Sequence, residues 1–161
     1  MVQAQVQLQP GRNDVQLELW ALAPQLWWPN GMGAQALYDL EVRFEPAAAA
    51  PTLDRRRIGF RVFSLVTAND TAPAAVAGRN GSGNHTFLFR VNGMPVVARG
   101  ANMIPMEELE GRASAQAHRR LVRYAAAAGM NTLRLWAGGV WQYSAWYDAC
   151  DEYGIMIYVS G

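Results

Sequence analysis

The chain has 161 residues, 51% hydrophobic and 17% charged, so it is long enough to bury a core and too apolar for general disorder. A net charge of +1 gives no broad field to attract nucleic acid or an anionic membrane, and no run of apolar residues is long enough to span one. The single cysteine, Cys150, excludes an internal disulfide framework and any multi-cysteine metal site.

The opening "MVQAQVQLQPGRND" lacks the basic start and apolar core of a signal peptide and reads as a chain entered in mid-domain. "VQAQVQLQ" and "DVQLELW" each alternate with period two on either side of the turn "PGRND", which predicts two strands. "ALYDLEVRF" sets Leu37, Asp39, Glu41 and Arg43 against Tyr38, Leu40, Val42 and Phe44, and "RRIGFRVFSLV" reads as a further strand. Asn69, Asn80 and Asn84 open "NDT", "NGS" and "NHT", glycosylation acceptor motifs in a polar stretch; a secreted or lysosomal parent and a plain irregular insertion both fit them. "HTFLFRVNGMPVVARG" carries the strongest hairpin signal, because Asn92-Gly93 suits a tight turn that needs positive φ. Short strands separated by proline and glycine clusters predict an antiparallel sandwich over residues 1–94.

From residue 95 the pattern changes. "MPVVARGAN" is a short apolar strand running into a glycine. A helix is expected from Ser114 to Ala128, with Ala117, Leu121, Tyr124, Ala125 and Ala128 on one face, Ser114 as N-cap and Gly129 as the stop. "NTLRLW" is a strand, "YSAWYDACDEY" a helix ending at Gly154, and "IMIYVS" a strand. Within that second helix Cys150 falls among Trp146, Tyr147 and Tyr153 at helical spacing, which suits a buried structural thiol better than a nucleophile. The order β-α-β-α-β with short connections implies parallel strands. An open sheet would want a glycine-rich phosphate loop, and "AGGVWQ" and "RGANMIP" both lack G-x-G-x-x-G; a barrel is favoured, and three strands cannot close one, so residues 95–161 read as a truncated barrel.

Ligands meet such units where strands end. Arg134 and Trp136 lie there, two residues apart and so on one face. Arg134 fits either a partner for a carboxylate at the barrel mouth or a buried structural cation; Trp136 fits either core packing or a flat wall for a sugar ring. Gly138 and Gly139 either form a turn or let backbone approach a ligand. Asn102, at the end of the first of these strands, fits either a contact to a sugar hydroxyl or a loop-holding role. Glu107, Glu108 and Glu110 precede a helix, where a solvated loop explains them better than a catalytic pair. His85 and His118 lack metal-ligand spacing, and the chain has no Walker loop, zinc signature or G-x-S-x-G elbow, so no metal or cofactor is implied.

Taken together, "LWWPNGMGAQALYDLEVRF", "RRIGFR", "FLFRVNGMPVVARGANMIP" and "MNTLRLWAGGVWQYSAWYDACDEYGIMIY" closely resemble glycoside hydrolase family 2, nearest to its members that act on β-mannosides. The resemblance runs from Val15 onward and implies an immunoglobulin-like sandwich followed by a (β/α)8 TIM barrel. It also implies retaining hydrolysis of terminal β-mannose from oligosaccharides by two glutamates, contributed by the fourth and seventh barrel strands. None of the chain's own glutamates holds either place, so the 161 residues alone are expected to be inactive. By resemblance, Arg134 stands beside the nucleophile carboxylate, Trp136 packs against the terminal mannose, the glycines leave room for it, and Asn102 falls in the loop after the first barrel strand, near the same mouth. Two departures stand out: Met103 occupies a place where tryptophan is usual, and "IYVSG" replaces a "WQDF"-like continuation, as a truncated or misassembled reading frame would. Members acting on β-glucosaminides carry a glutamate where this chain has Trp136, which tips the resemblance toward mannosides. A noncatalytic carbohydrate-binding module is the alternative outside catalysis.

Overall fold

Alternation creates a strand only where a neighbouring strand accepts its hydrogen bonds. The computed structural model describes residues 2–66, 87–107, 109 and 111–159, and residues 2–25 form no strand, contrary to the alternation of "VQAQVQLQ" and "DVQLELW". The intervening turn does form: Gly11 takes φ +100°, and the Asn13 amide donates to the carbonyls of Gln9 and Gly11. Val15, Leu17 and Leu19 nevertheless stay exposed. A lone two-stranded ribbon is marginal without a further strand or helix on its apolar face. Asn69, Asn80, Asn84, His85, Glu108 and Glu110 lie outside the described residues.

Strand β1 (Tyr38–Phe44) pairs antiparallel with β2 (Thr52–Ile58), where Glu41 and Arg55 stand directly opposite and form an ion pair of 3.0 Å. "RRIGFRVFSLV" is not one strand. It breaks after Ile58, and β3 (Phe63–Val66) begins a second sheet with β4 (Leu88–Val91) and β5 (Met94–Val96). The break falls where Gly59 passes Trp27: a Cβ there would stand 3.2 Å from the Trp27 Cβ, and the Phe60 carbonyl accepts from the Trp27 amide at 2.9 Å. The predicted β4–β5 turn forms, with Asn92 at φ +51° and Gly93 at +81°. Asn92 also ties three segments together, since its Oδ1 accepts from Val62 N and its Nδ2 donates to Trp27 O.

"MPVVARGAN" likewise divides. The antiparallel sheet extends to Val96, beyond the expected division at 94/95, and pairing turns parallel at β6 (Gly100–Met103). Helix α1 (Ala115–Ala127), β7 (Thr132–Leu135), helix α2 (Ser144–Tyr153) and β8 (Met156–Val159) follow, giving a parallel sheet of order β6-β7-β8. The caps match the sequence: Ser114 Oγ accepts from Ala117 N at 3.2 Å, and Gly154 ends α2 in the left-handed region. The expected face of α1 matches in part, since Leu121 and Ala125 pack against the core. His118 and Val122 are buried, whereas Tyr124 is 58% exposed.

The core explains this choice of face. Val122 shares one buried cluster with Trp146, Ala149 and Cys150 of α2 and Leu133 and Leu135 of β7, so both helices cover the same side of the sheet. Burying side chains of this size contributes about 1.5–3 kcal/mol each. Burial also pushes the Cys150 thiol far up, which makes it the inert core residue its helical neighbours suggest. The "WWPN" segment fastens the antiparallel part to the helix ends. Trp27 Nε1 donates to Asp151 O at 2.7 Å, Asn30 N to Gly154 O at 2.8 Å, and Asn30 Nδ2 to Ala126 O and Met130 O. These satisfy carbonyls that helix C-termini leave unpaired. Arg57 of β2 joins the same end by pairing with Glu152 at 2.7 Å, and Glu152 also pairs with Arg119.

His118 makes stability depend on pH. It is 2% exposed, neither ring nitrogen has a hydrogen-bond partner among the described residues, and Tyr143 packs against the ring at 4.9 Å. Burial lowers its pKa from the ordinary 6.5. The unfolded chain therefore takes up the proton first, and stability is lost as pH falls through the ordinary value toward the lower folded one. Urea midpoints of the native chain are expected to drop between pH 7.5 and 5.5, with a smaller drop for His118→Phe. Parallel losses in the two chains would remove His118 as the cause.

Candidate functional site

In a parallel strand successive side chains leave opposite faces. Leu133 and Leu135 point to the helices, so Arg134 lies on the other face of β7, half-buried. The register sets Asn102 of β6 and Tyr158 of β8 directly beside it. The layer is joined: Arg134 Nη1 donates to Asn102 Oδ1 at 3.0 Å, and the guanidinium carbon stands 5.7 Å from the centre of the Tyr158 ring. A cleft of about 290 Å³ opens beside it, lined by Ala98, Gly100, Ala101, Asn102, Thr132 and Arg134.

Among the described residues no carboxylate pairs with Arg134. That separates it from Arg43, Arg55, Arg57 and Arg119, each of which has an acidic partner. A guanidinium has five donors, and one of them serves Asn102. What remains is a fork suited to a carboxylate or another planar acceptor.

Asn102 is not in the loop after its strand. It is the third residue of β6, and its amide oxygen is taken by Arg134. Trp136 follows β7, with its amide donating to Met103 O at 3.1 Å, so strand pairing persists one residue past the ladder. Alternation keeps it on the Arg134 side, and its indole is 52% exposed. The glycines do not leave a vacancy beside it. A Cβ on Gly138 would stand 2.8 Å from Trp136 Cζ3, so the space is taken by the indole itself. Gly139 brings this loop against Pro105, which puts the loops after β6 and β7 side by side. Glu107 pairs loosely with Arg112 at 3.7 Å in the connection ahead of α1.

Sequence reasoning passed over Tyr158 and Asn131. Tyr158 reads as one more apolar strand residue until the β7–β8 register is known. Asn131 is 2% exposed and binds the β5–β6 linker, accepting from Arg99 N and donating to Val97 O. Its capping-type side chain just before a strand was the one available signal.

No family model matches the chain. Over 156 residues it is 33% identical to the β-mannosidase of Capra hircus, covering 95% of this chain and 17% of that protein. The β-D-mannosidase structure from Dictyoglomus thermophilum superposes with a TM-score of 0.66 at 32% identity, over 84% of this chain and 16% of that one. The exo-chitosanase of Amycolatopsis orientalis gives 0.64 at 26%, over 84% and 14%. The chain thus spans about a sixth of the length of the relatives it matches. The parallel β-α-β-α-β unit, with a cation and an indole at its strand ends, is thus similar to a segment of glycoside hydrolases. Its relatives include β-mannosidases, and its likeness to them and to the exo-chitosanase is consistent with glycoside hydrolase family 2.

Proposed function

We propose that these residues form the non-catalytic wall of an exo-acting, retaining β-mannosidase. Residues up to about 96 belong to an immunoglobulin-like sandwich, and the remainder to the first three strands of a (β/α)8 barrel. One observation carries the reading: Arg134, fixed by Asn102 on the face away from the helices, has no carboxylate partner among the described residues. A retaining glycosidase needs two carboxyl groups about 5–5.5 Å apart, one of them ionised to attack the anomeric carbon. A neighbouring guanidinium keeps that nucleophile ionised. Both carboxylates come from later barrel strands, and Trp136 offers the sugar a flat apolar face. An apolar groove of about 480 Å³ along β6 and α1, lined by residues such as Met103, Leu121 and Met130, supports the barrel, because a further βα unit would cover it.

The exo-chitosanase likeness supports a second reading, in which the substrate is a β-glucosaminide. A cationic amino sugar calls for an acidic neighbour, and Trp136 offers none. The test is a graft of residues 26–159 in place of the matching segment of the Dictyoglomus enzyme. It is expected to hydrolyse 4-nitrophenyl β-mannoside well above the β-glucosaminide, while the 161-residue chain alone hydrolyses neither. Turnover by the chain alone, or a preference of the graft for the glucosaminide, would overturn the proposal.

A further inference from the structure

We propose that Tyr158 is a positioning residue, whose ring, together with the Asn102 amide, holds the Arg134 guanidinium as a preformed carboxylate receptor. This rests on the reading above that Arg134 receives a carboxylate. The layer Asn102–Arg134–Tyr158 runs straight across β6, β7 and β8, so neighbouring backbones stand about 4.8 Å apart and the three side chains rise from one face. Arginine is long and rotamer-rich, and an unrestrained guanidinium would sweep the cleft. Here one side is hydrogen-bonded to Asn102 at 3.0 Å and the ring of Tyr158 lies 5.7 Å from the guanidinium carbon on the other. The ring is 48% exposed and makes no aromatic contact among the described residues, so core packing does not account for it. The Arg134 guanidinium carbon lies over its face.

Arg134 itself lines the cleft together with Asn102 and Thr132. A guanidinium attracted to the face of an aromatic ring spends no hydrogen-bond donor on it, so its N–H groups stay available to an acceptor. The phenol hydroxyl has no part in this, so phenylalanine should serve and an aliphatic residue should not.

The test uses the 161-residue chain, with acetate as the probe and the side-chain resonances of Arg134 as the readout. In the native chain the Arg134 Nε–H is expected to be shifted upfield by the ring and to move on acetate titration. Tyr158→Phe should keep the shift and bind acetate within about twofold of native. Tyr158→Leu should lose the shift and bind about fivefold more weakly. Tyr158→Val, which suits a strand, provides a second aliphatic variant, and whichever melts like the native chain is the one compared. An aliphatic variant with unchanged shift and unchanged acetate affinity would overturn the role of Tyr158. A ring-dependent shift with no acetate response at Arg134 would instead overturn the carboxylate reading of Arg134 on which the proposal stands.

Discussion

Gly154→Ala is expected to destabilise the chain by about 2–4 kcal/mol, the sum of a backbone and a packing cost. Gly154 ends α2 at φ +73°, a left-handed conformation that disfavours any Cβ. A Cβ there would also stand 2.5 Å from Asn30 N and 3.1 Å from Asn30 Cα. Backbone cannot swing aside as a side-chain tip does. The Asn30 N–Gly154 O hydrogen bond would be strained, and with it the Asn30 side-chain bonds to Ala126 and Met130. Gly129 is the control. It shares the conformation, at φ +81°, but a Cβ there meets nothing within 4 Å. Gly129→Ala should therefore cost only the backbone part, about 1–2 kcal/mol. Urea unfolding of the two variants checks the difference, and equal losses would show that the contact with Asn30 carries no weight.

In the graft described above, Arg134→Met should lower kcat/KM by about 10²–10³-fold, the usual consequence of removing one preorganised electrostatic partner. The loss should fall mainly on kcat. The pH profile gives the more specific signature. An adjacent cation depresses the pKa of the nucleophile, so its removal raises that pKa, and the acid limb of kcat/KM should move to higher pH. Arg134→Lys keeps the charge but loses the planar fork. It should restore the acid limb while recovering only part of the rate. An unchanged acid limb in Arg134→Met would remove the carboxylate partner from the account.

The two predictions draw on opposite ends of one sheet. The Trp27–Asn30 contacts gather where the parallel strands begin, and Asn102, Arg134 and Trp136 lie where they finish. In the barrel proposed above, the first end would hold the structure and the second would face the chemistry. Part of this was legible from local sequence. The Asn92-Gly93 turn, the Ser114 cap and the Gly154 stop each follow from one or two residues whose backbone preferences act within a few positions. The strand–helix alternation after β5 was legible for the same reason. Arg134 and Trp136 were identifiable because period two links them without reference to any other strand.

What the amino-acid sequence determined by itself were features whose causes lie within a turn or two of chain. The tertiary structure decided the rest, because those outcomes depend on neighbours far away along the chain. Residues 2–25 alternate like a strand and stay unpaired, while the break after Ile58 comes from Trp27, about thirty residues earlier. α1 buries His118 rather than Tyr124 because α2 and β7 choose its inner face. The space beside Gly138 is filled by its own loop's indole. Asn102 and Tyr158 meet Arg134 only through the register of three parallel strands, and register is a long-range property that no local pattern encodes.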